Sequence, residues 1–349
     1  MNILVTGGLG NVGKSAARAC LSMGHSVTVF EAPPAAKRAR TFIQKLYPPS
    51  RKKFDVIYGD IRKPEDVDAA VRRGGASPDA IIHLAALIPP ASDKNPKKAW
   101  DINVKGTKNI IAASAAMDKP ARIVLASSIA TYGDRLEDFW IKTSDSFHPS
   151  DIYSQTKIEC ERLLTESGLP AMILRLSYVV SAQWLPFDPL LFSMPPRTHI
   201  EVVHTEDAGR AFAMAASIAP MPDHRVFDIG GGVMCRTSFR AYIDRLFRYF
   251  GLGDSSFLPD CAFAGSGFHC GWYEDSDYAD SILRFRSKTL EDYYEEVRWE
   301  TRHYAPFVSL FRPFAKSWLL NKSPFLERGL AARKNTRGHA RGRGGAYAA

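Results

Sequence analysis

Cysteine is scarce and unpatterned in this chain of 349 residues. Its five cysteines, Cys20, Cys160, Cys235, Cys261 and Cys270, are odd in number and scattered, so they carry neither a disulfide framework nor paired zinc-ligand spacing. His269-Cys270 is the only place where two His or Cys residues adjoin, and two such ligands without two more do not hold zinc. No metal is expected. Long apolar runs are missing as well. Nothing reaches the roughly 18 uninterrupted apolar residues of a membrane-crossing helix. Met1 leads straight into a core-like strand, without the basic start, apolar stretch and cleavage site of an export signal. Reduced thiols and a cytoplasmic location are the expectation. Internal repeats and coiled-coil heptads are absent too. A hydrophobic content of 45% over this length allows one large α/β domain or a main domain with a smaller lobe.

What is present begins at once. Asn2-Ile3-Leu4-Val5-Thr6 is a short apolar run, followed by the turn Gly7-Gly8-Leu9-Gly10-Asn11-Val12-Gly13 and a helical pattern from Lys14 to Met23. Gly8-x-Gly10-x-x-Gly13 fits the dinucleotide fingerprint, whose glycines permit a tight turn, close approach of backbone to a pyrophosphate, and helix-strand contact. The helix N-terminus then offers free amides to the phosphates. Ser26 to Phe30 reads as a second strand ending at Glu31, roughly 20 residues beyond the glycines, where an acidic side chain holds ribose hydroxyls. Glu31 therefore favours NAD. Lys37, Arg38 and Arg40 leave NADP open, because they can accept a 2′-phosphate.

Strand and helix patterns then alternate. Phe54 to Tyr58, Ala80 to Ala86, Arg122 to Ala126, Met172 to Leu176 and Val226 to Ile229 read as strands. Helical stretches begin at Glu65 and span Pro96 to Ala116, Asp151 to Glu166 and Glu206 to Ser217. This order predicts a doubly wound, Rossmann-type parallel sheet covered on both faces. Ligands bind such sheets at the carboxyl ends of the strands, where Gly7, Glu31, Asp60, Ala85 and Ser128 all fall. On the helix from Asp151, Tyr153 and Lys157 share a face. The ammonium can then favour the phenolate of a Tyr that otherwise titrates near about 10. Alone, such a pair is as a rule a packed ring beside a solvated charge. Its place downstream of the glycine turn and of Ser127-Ser128 suggests redox chemistry.

Together these landmarks resemble the extended branch of the short-chain dehydrogenase/reductase family, the NAD-dependent epimerase/dehydratase group, over roughly residues 1 to 295. Thr6 to Gly13 resembles its TGxxGxxG cofactor loop, Asp60-Ile61 its acidic-aliphatic pair at adenine, and His83-Leu84-Ala85-Ala86 its strand end beside the nicotinamide. Asn103-Val104-Lys105-Gly106-Thr107 is similar to the NVxGT helix signature. Leu125 to Gly133 is similar to the segment carrying the catalytic hydroxyl, here Ser128. Val203 to Ala208 and Phe227 to Gly232 resemble the later VHVxDVA and YNIGxG segments. The resemblance implies NAD held by Gly7, Gly8, Gly10, Asn11, Val12, Gly13, Glu31, Asp60, Ile61, Leu84, Ala85 and Ala86, with Tyr153 and Lys157 at its reactive end. It also implies that Tyr153 exchanges a proton with a substrate hydroxyl or carbonyl and that Ser128 orients that oxygen. Lys157 would stabilise the phenolate and bind the nicotinamide ribose, and Asn103 completes the catalytic set.

Departures from the family pattern narrow the reaction. Ile129-Ala130 stand where sugar-nucleotide dehydratases carry an Asp-Glu pair, so the acid and base for water elimination are missing. Tyr178 stands where nucleotide-sugar enzymes usually have Asn. Arg236 is a candidate partner for a substrate pyrophosphate, or simply a solvated Arg at a helix start. Leu87, Ile88, Pro89 and Pro90, with the apolar loop from Gln183 to Pro196, either cap an apolar pocket or join lobe to sheet. Leu87, Ser128, Tyr178 and Arg236 are thus the substrate-side candidates.

The organisation expected is a cofactor domain over 1–235 that lends a loop at 181–200 to the lobe, a substrate lobe over 236–325, and a disordered basic tail over 326–349. Within the lobe, a helix is expected near Ser238 to Phe250, then irregular chain from Gly251 to Asp280. Ser287 replaces the Pro customary before the last helix. Tyr304 to Phe325 interleaves aromatics with Arg312, Lys316 and Lys322 and reads as one amphipathic helix. It is suited to docking on the domain, to a homodimer, or to peripheral contact with an anionic membrane. Arg333, Lys334, Arg337, Arg341 and Arg343 supply over half of the +9 net charge. Without stacking aromatics other than Tyr347, they argue for a solubilising tail over a nucleic-acid partner. The function expected is an NAD-dependent epimerase/oxidoreductase acting on a small molecule, a sugar or sugar nucleotide. One alternative is a dehydrogenase/reductase of a more hydrophobic alcohol or ketone, favoured by Tyr178 and the apolar loop. Another is a nucleotide-sensing or RNA-binding protein on the same fold.

Overall fold

The computed structural model describes residues 1–326 apart from 47, 74–76, 183–188 and 266. The first part of the expected apolar loop and the basic tail from 327 lie outside the described residues. Twelve strands occur among those described: β1 (Asn2–Thr6), β2 (Ser26–Glu31), β3 (Phe54–Tyr58), β4 (Ala80–His83), β5 (Arg122–Ser128), β6 (Trp140–Ile141), β7 (Ala171–Leu176), β8 (Tyr178–Val180), β9 (His199–His204), β10 (Val226–Ile229), β11 (Arg236–Ser238) and β12 (Trp272–Tyr273). Seven form one sheet in the order β10-β7-β5-β4-β1-β2-β3, and every pairing in it is parallel. Chain order reverses at β1, which lies between β2 and β4. That reversal opens the crevice in which doubly wound sheets bind ligands.

The central strands are buried on both faces, so they read as continuous apolar runs. One face is covered by the helices Asn11–Ser22 and Thr205–Ser217, whose contact is lined by Ala16, Ala17, Ala208, Ala211 and Ala215. They approach so closely that a Cβ on Gly209 would lie 2.4 Å from the Ser15 carbonyl carbon. The other face packs Val67, Ile110 and Leu164, from three further helices, onto Ile81, Ile123 and Leu125. A separate core around Phe239, Tyr242, Phe247, Tyr293 and Val297 fills the lobe. There β8, β9 and β11 form a small mixed sheet.

Several elements differ from expectation for identifiable reasons. The helix expected over Pro96 to Ala116 is continuous but takes one wide, π-type turn at Asp101–Lys105. The first helix starts at Asn11 rather than Lys14. The chain from Gly251 to Asp280 is not irregular throughout, since β12 pairs with β6 and a helix starts at Ser276. The single helix expected over Tyr304 to Phe325 is two, Ala305–Leu310 and Arg312–Leu320. Pro313 has no N–H to continue the ladder, and the break falls at Phe311 just before it. Among the described residues no helix is long and apolar enough to cross a membrane, and no group of three or more His, Cys, Asp or Glu is placed to hold a metal ion.

Arg284 ends the helix Ser276–Leu283 in the left-handed conformation, at φ 47°. For a side-chain-bearing residue this costs about 1–2 kcal/mol. Glycine removes that cost while adding about 0.5–1 kcal/mol of unfolded-state entropy. Arg284→Gly is therefore expected to stabilise the chain by about 0.5–1 kcal/mol. A urea unfolding curve checks it, and a lower midpoint for the variant contradicts the strain argument.

Candidate active site

The glycine turn is built by contacts that exclude side chains. Gly7 adopts φ 68°, and a Cβ there would sit 2.9 Å from the Ala85 backbone. A Cβ on Gly13 would fall 2.3 Å from the Gly7 carbonyl oxygen. The turn is thus pressed between the end of β4 and the first helix. Gly10 differs, because a Cβ there meets only the Gly7 oxygen, at 3.2 Å. The first helix also has no side-chain cap at Gly10, so its leading amides are available to an anion. At the end of β2 the Glu31 carboxylate accepts a bond from the Leu9 amide at 3.0 Å and has Arg38 at 3.9 Å. The acidic residue is thereby tied to the turn itself. Asp60 is gripped by Arg62, which pulls its carboxyl down to about 2, while neighbouring Ile61 is buried against Gly106. These features fit a dinucleotide: glycine backbone and helix N-terminus for a diphosphate, Glu31 for a ribose.

Across the crevice, one helix carries the candidate reactive side chains. Ile152–Glu166 starts with a capping box, in which Asp151 accepts from the Ser154 amide at 2.6 Å and Ser154 Oγ accepts from the Asp151 amide at 3.2 Å. The box sets the helix register one residue ahead of Tyr153. From there Tyr153, Lys157 and Glu161 follow at four-residue intervals on the face turned toward β5. The Ser128 side chain, at the end of that strand, lies near enough to the Tyr153 hydroxyl to lower its phenol. Ser128 Oγ accepts from the Ala130 amide at 3.2 Å. Lys157 is 4% exposed. Its ammonium donates to the Ala126 carbonyl at 2.7 Å and lies 5.7 Å from the centre of the Tyr153 ring. Burial holds that ammonium below its ordinary value, with Cys160 and Glu161 opposing the shift. Burial likewise pushes the Tyr153 phenol above its ordinary value, and nearby Ser128 only partly counteracts it. In the free chain desolvation therefore sets the direction of the phenol's shift.

Asn103 sits in the wide turn of its helix, 1% exposed. Its side chain accepts from the Leu87 amide at 2.7 Å, donates to the Leu87 carbonyl at 3.1 Å and reaches Thr156 Oγ1 at 2.9 Å. Thr156 in turn donates to the Tyr153 carbonyl at 2.7 Å. Asn103 thus ties the chain beyond β4 to the first turn of the Tyr153 helix. A π-type turn is a common device for aiming a residue in this way. His83, which drew no separate attention in the sequence, bridges Thr6 and Thr107 at 2.7 and 2.9 Å. Burial and the Lys157 charge push its imidazole down to about 3, so it is a neutral strut between β1 and the Asn103 helix. Leu84, Ala85 and Ala86 follow β4 rather than extending it, and the Ala85 amide bonds Thr6 Oγ1 at 3.2 Å.

A family model described as "NAD dependent epimerase/dehydratase family" matches residues 3–190. The chain belongs to that family. Among curated relatives, this family member is 29% identical over 182 residues to a 3-beta-hydroxysteroid dehydrogenase of Mycolicibacterium neoaurum, covering 49% of this chain and 44% of that protein. It is 33% identical over 135 residues to a CDP-paratose 2-epimerase of Salmonella typhi, covering 38% of each. The matched segment thus spans less than half the length of these relatives. A solved UDP-glucose-4-epimerase from Stenotrophomonas maltophila, with bound NAD and formylated UDP-arabinopyranose, superposes with a TM-score of 0.71 at 20% identity, over 88% of this chain and 99% of that one. That likeness is one of fold.

Within the family frame, the substrate-side candidates have distinct surroundings. Leu87 is fixed by Asn103. Tyr178 makes an edge contact with the ring of Tyr242, a core residue of the lobe. Arg236 is committed to the interior. It pairs with Glu201 at 2.8 Å, donates to the Tyr273 carbonyl at 2.6 Å, and lies over the rings of Trp140 and Trp272. Glu201, with its side chain fully buried, also accepts from the amides of Gly232 and Tyr273 and from Ser276. The reading of Arg236 as a solvated side chain is thereby corrected, since a buried carboxylate requires a partner.

Beneath the site lies a buried polar seam that sequence reasoning did not find. Arg175 forks onto Glu161 and donates to Tyr132 at 2.6 Å, and Tyr132 bonds Asp228 at 2.9 Å. Glu161 also bonds Ser127 beside Ser128. The recurrence Tyr153, Lys157, Glu161 was the available signal for Glu161. Removing the Asn103 side chain leaves both backbone groups of Leu87 unpartnered, so Asn103→Ala should cost about 3 kcal/mol and lower the melting temperature by several degrees. Thermal unfolding followed by circular dichroism tests this, and an unchanged transition would remove Asn103 from its structural role.

Proposed function

We propose that the chain is an NAD-dependent oxidoreductase that oxidises a hydroxyl-bearing carbon of a small molecule. In the leading reading, it re-reduces that carbon as an epimerase of a sugar or sugar nucleotide. One observation carries the proposal: the Tyr153 ring beside a buried Lys157 ammonium that is fixed on the Ala126 carbonyl, with Ser128 next to it at the strand end. Bound NAD supplies a hydride acceptor and a positively charged ring. Gly8, Gly10 and Gly13 would cradle its diphosphate, Glu31 its adenosine ribose, and Lys157 the ribose nearer the reaction. Ser128 donates to the substrate oxygen and holds it against Tyr153. Tyr153 takes the hydroxyl proton as that oxygen becomes a carbonyl and returns it on reduction. Lys157 compensates the negative charge that Tyr153 acquires once protein burial is supplemented by positive charge at the site. Asn103 and His83 keep the two sides of the crevice in register. The carboxylate of Glu31, together with the family description, supports NAD over NADP. Five free thiols suit a reducing, cytoplasmic setting.

A second reading is favoured by a specific observation. Arg236, the cation considered for a substrate pyrophosphate, is already paired with buried Glu201, and Tyr178 packs its ring on Tyr242. Both suit a less highly charged alcohol or ketone, turned over by a net dehydrogenase that exchanges its cofactor. Nucleotide release from the purified, denatured protein separates the two. Near-stoichiometric NAD supports the epimerase and an empty, reversibly binding site the dehydrogenase.

Under either reading Tyr153→Phe should lower turnover by about a hundredfold or more with NAD binding retained. Full activity in that variant would instead support a non-catalytic, nucleotide-sensing protein. In the oxidation direction the rate should rise with pH, because Tyr153 acts as the base and burial raises its phenol. Lys157→Met removes a cation that favours the phenolate, so the rising limb should move to higher pH. A limb that stays in place would assign the titration to another group.

A further inference from the structure

The two short helices at the end of the described chain are apolar on both sides. Toward the lobe, Val308, Ala315 and buried Leu319 pack on its core. Away from it, Phe307, Leu310, Phe311, Phe314 and Trp318 face solvent, with Phe307 68%, Leu310 74% and Phe314 78% exposed. A helix apolar all round belongs in a core or a membrane, and a monomer rarely leaves so continuous an apolar surface bare. Between the helices and the lobe opens an almost wholly apolar cleft of about 370 Å³, lined by Phe250, Leu252, Tyr304, Val308 and Leu319 among others.

Charge is distributed in the same pattern. Residues 301–349 contain ten Lys or Arg and a single acid, Glu327, so the entire formal net charge of +9 belongs to this segment and residues 1–300 balance. Within the helical part, Lys322 lies over the Trp318 ring, and Arg302, Arg312, Lys316 and Lys322 have no acidic residue among them. Exposed aromatic and aliphatic side chains flanked by cations fit a surface that is apolar inside and anionic outside. A second copy of this chain would bring two such positive segments together, which Coulomb repulsion opposes. An apolar cleft of this kind offers an acyl chain a lining and a nucleobase no hydrogen-bonding edge.

We propose that the segment from Tyr304 to Leu320 is an interfacial anchor that seats the enzyme on an anionic lipid bilayer. Phe307, Leu310, Phe314 and Trp318 enter the headgroup boundary, and the basic residues engage the lipid phosphates. The full chain should co-sediment with vesicles one-third phosphatidylserine in phosphatidylcholine and much less with phosphatidylcholine alone. Trp318 emission should shift to the blue, and added salt should weaken binding. The double variant Phe307→Ser, Phe314→Ser should bind about tenfold less while keeping the parent's melting temperature and NAD affinity, since both side chains are exposed. Three results would each overturn the proposal. One is absence of binding to anionic vesicles, whether or not the chain binds single-stranded RNA. The second is full vesicle binding by the double variant, which would reduce the contact to charge alone. The third is a lipid-free dimer that buries Trp318 and that the double variant breaks.

Discussion

A buried ammonium needs a fixed acceptor, and the Lys157 bond to the Ala126 carbonyl is the constraint from which the rest of the site follows. It locks the helix Ile152–Glu166 against β5 at one rotation and one height. One turn earlier on that face Tyr153 meets Ser128 at the strand end, and one turn later Glu161 meets Arg175 and Ser127. Reactive pair and structural seam are parts of one packing decision. The same burial that fixes Lys157 raises the Tyr153 phenol, so geometry and proton affinity are set by the same cause and pull in opposite directions.

Much of this was legible in the sequence because it depends on short-range rules. The glycine turn requires residues without a Cβ at Gly7 and Gly13, and the contacts made there are with backbone only a few residues away or at the adjoining strand end. The strand Val226–Ile229 was read with its observed bounds because buried parallel strands are largely apolar runs, and the edge strand Phe54–Tyr58 because its aromatic and β-branched residues favour extended chain. The i, i+4 relation of Tyr153 and Lys157 needed only helical periodicity. What the sequence hid was long-range compensation. Arg236 looked available because its partner, Glu201, lies 35 residues earlier. The effect of desolvation on the Tyr153 phenol was hidden too, because it depends on enclosure, which no spacing encodes.

The end of the lobe shows a different kind of failure. An aromatic stripe at spacings of three and four normally marks a face turned to the core, yet here the core takes Val308, Ala315 and Leu319 while the larger rings face away. Pro313 splits the segment, yet both halves keep their larger rings on the outward side.

The polar seam under the site joins both parts of the molecule. Glu201 of the small sheet binds the Tyr273 amide, the Tyr273 hydroxyl donates to the Arg175 carbonyl, and Arg175 grips Glu161 on the Tyr153 helix. Separating lobe from sheet would take the Tyr273 amide and carbonyl away from Glu201 and Arg236, which stay paired with each other across β9 and β11, and would leave buried polar groups short of partners. Cooperativity is the consequence. The two cores share hydrogen bonds through Tyr273, so loosening one takes partners from the other.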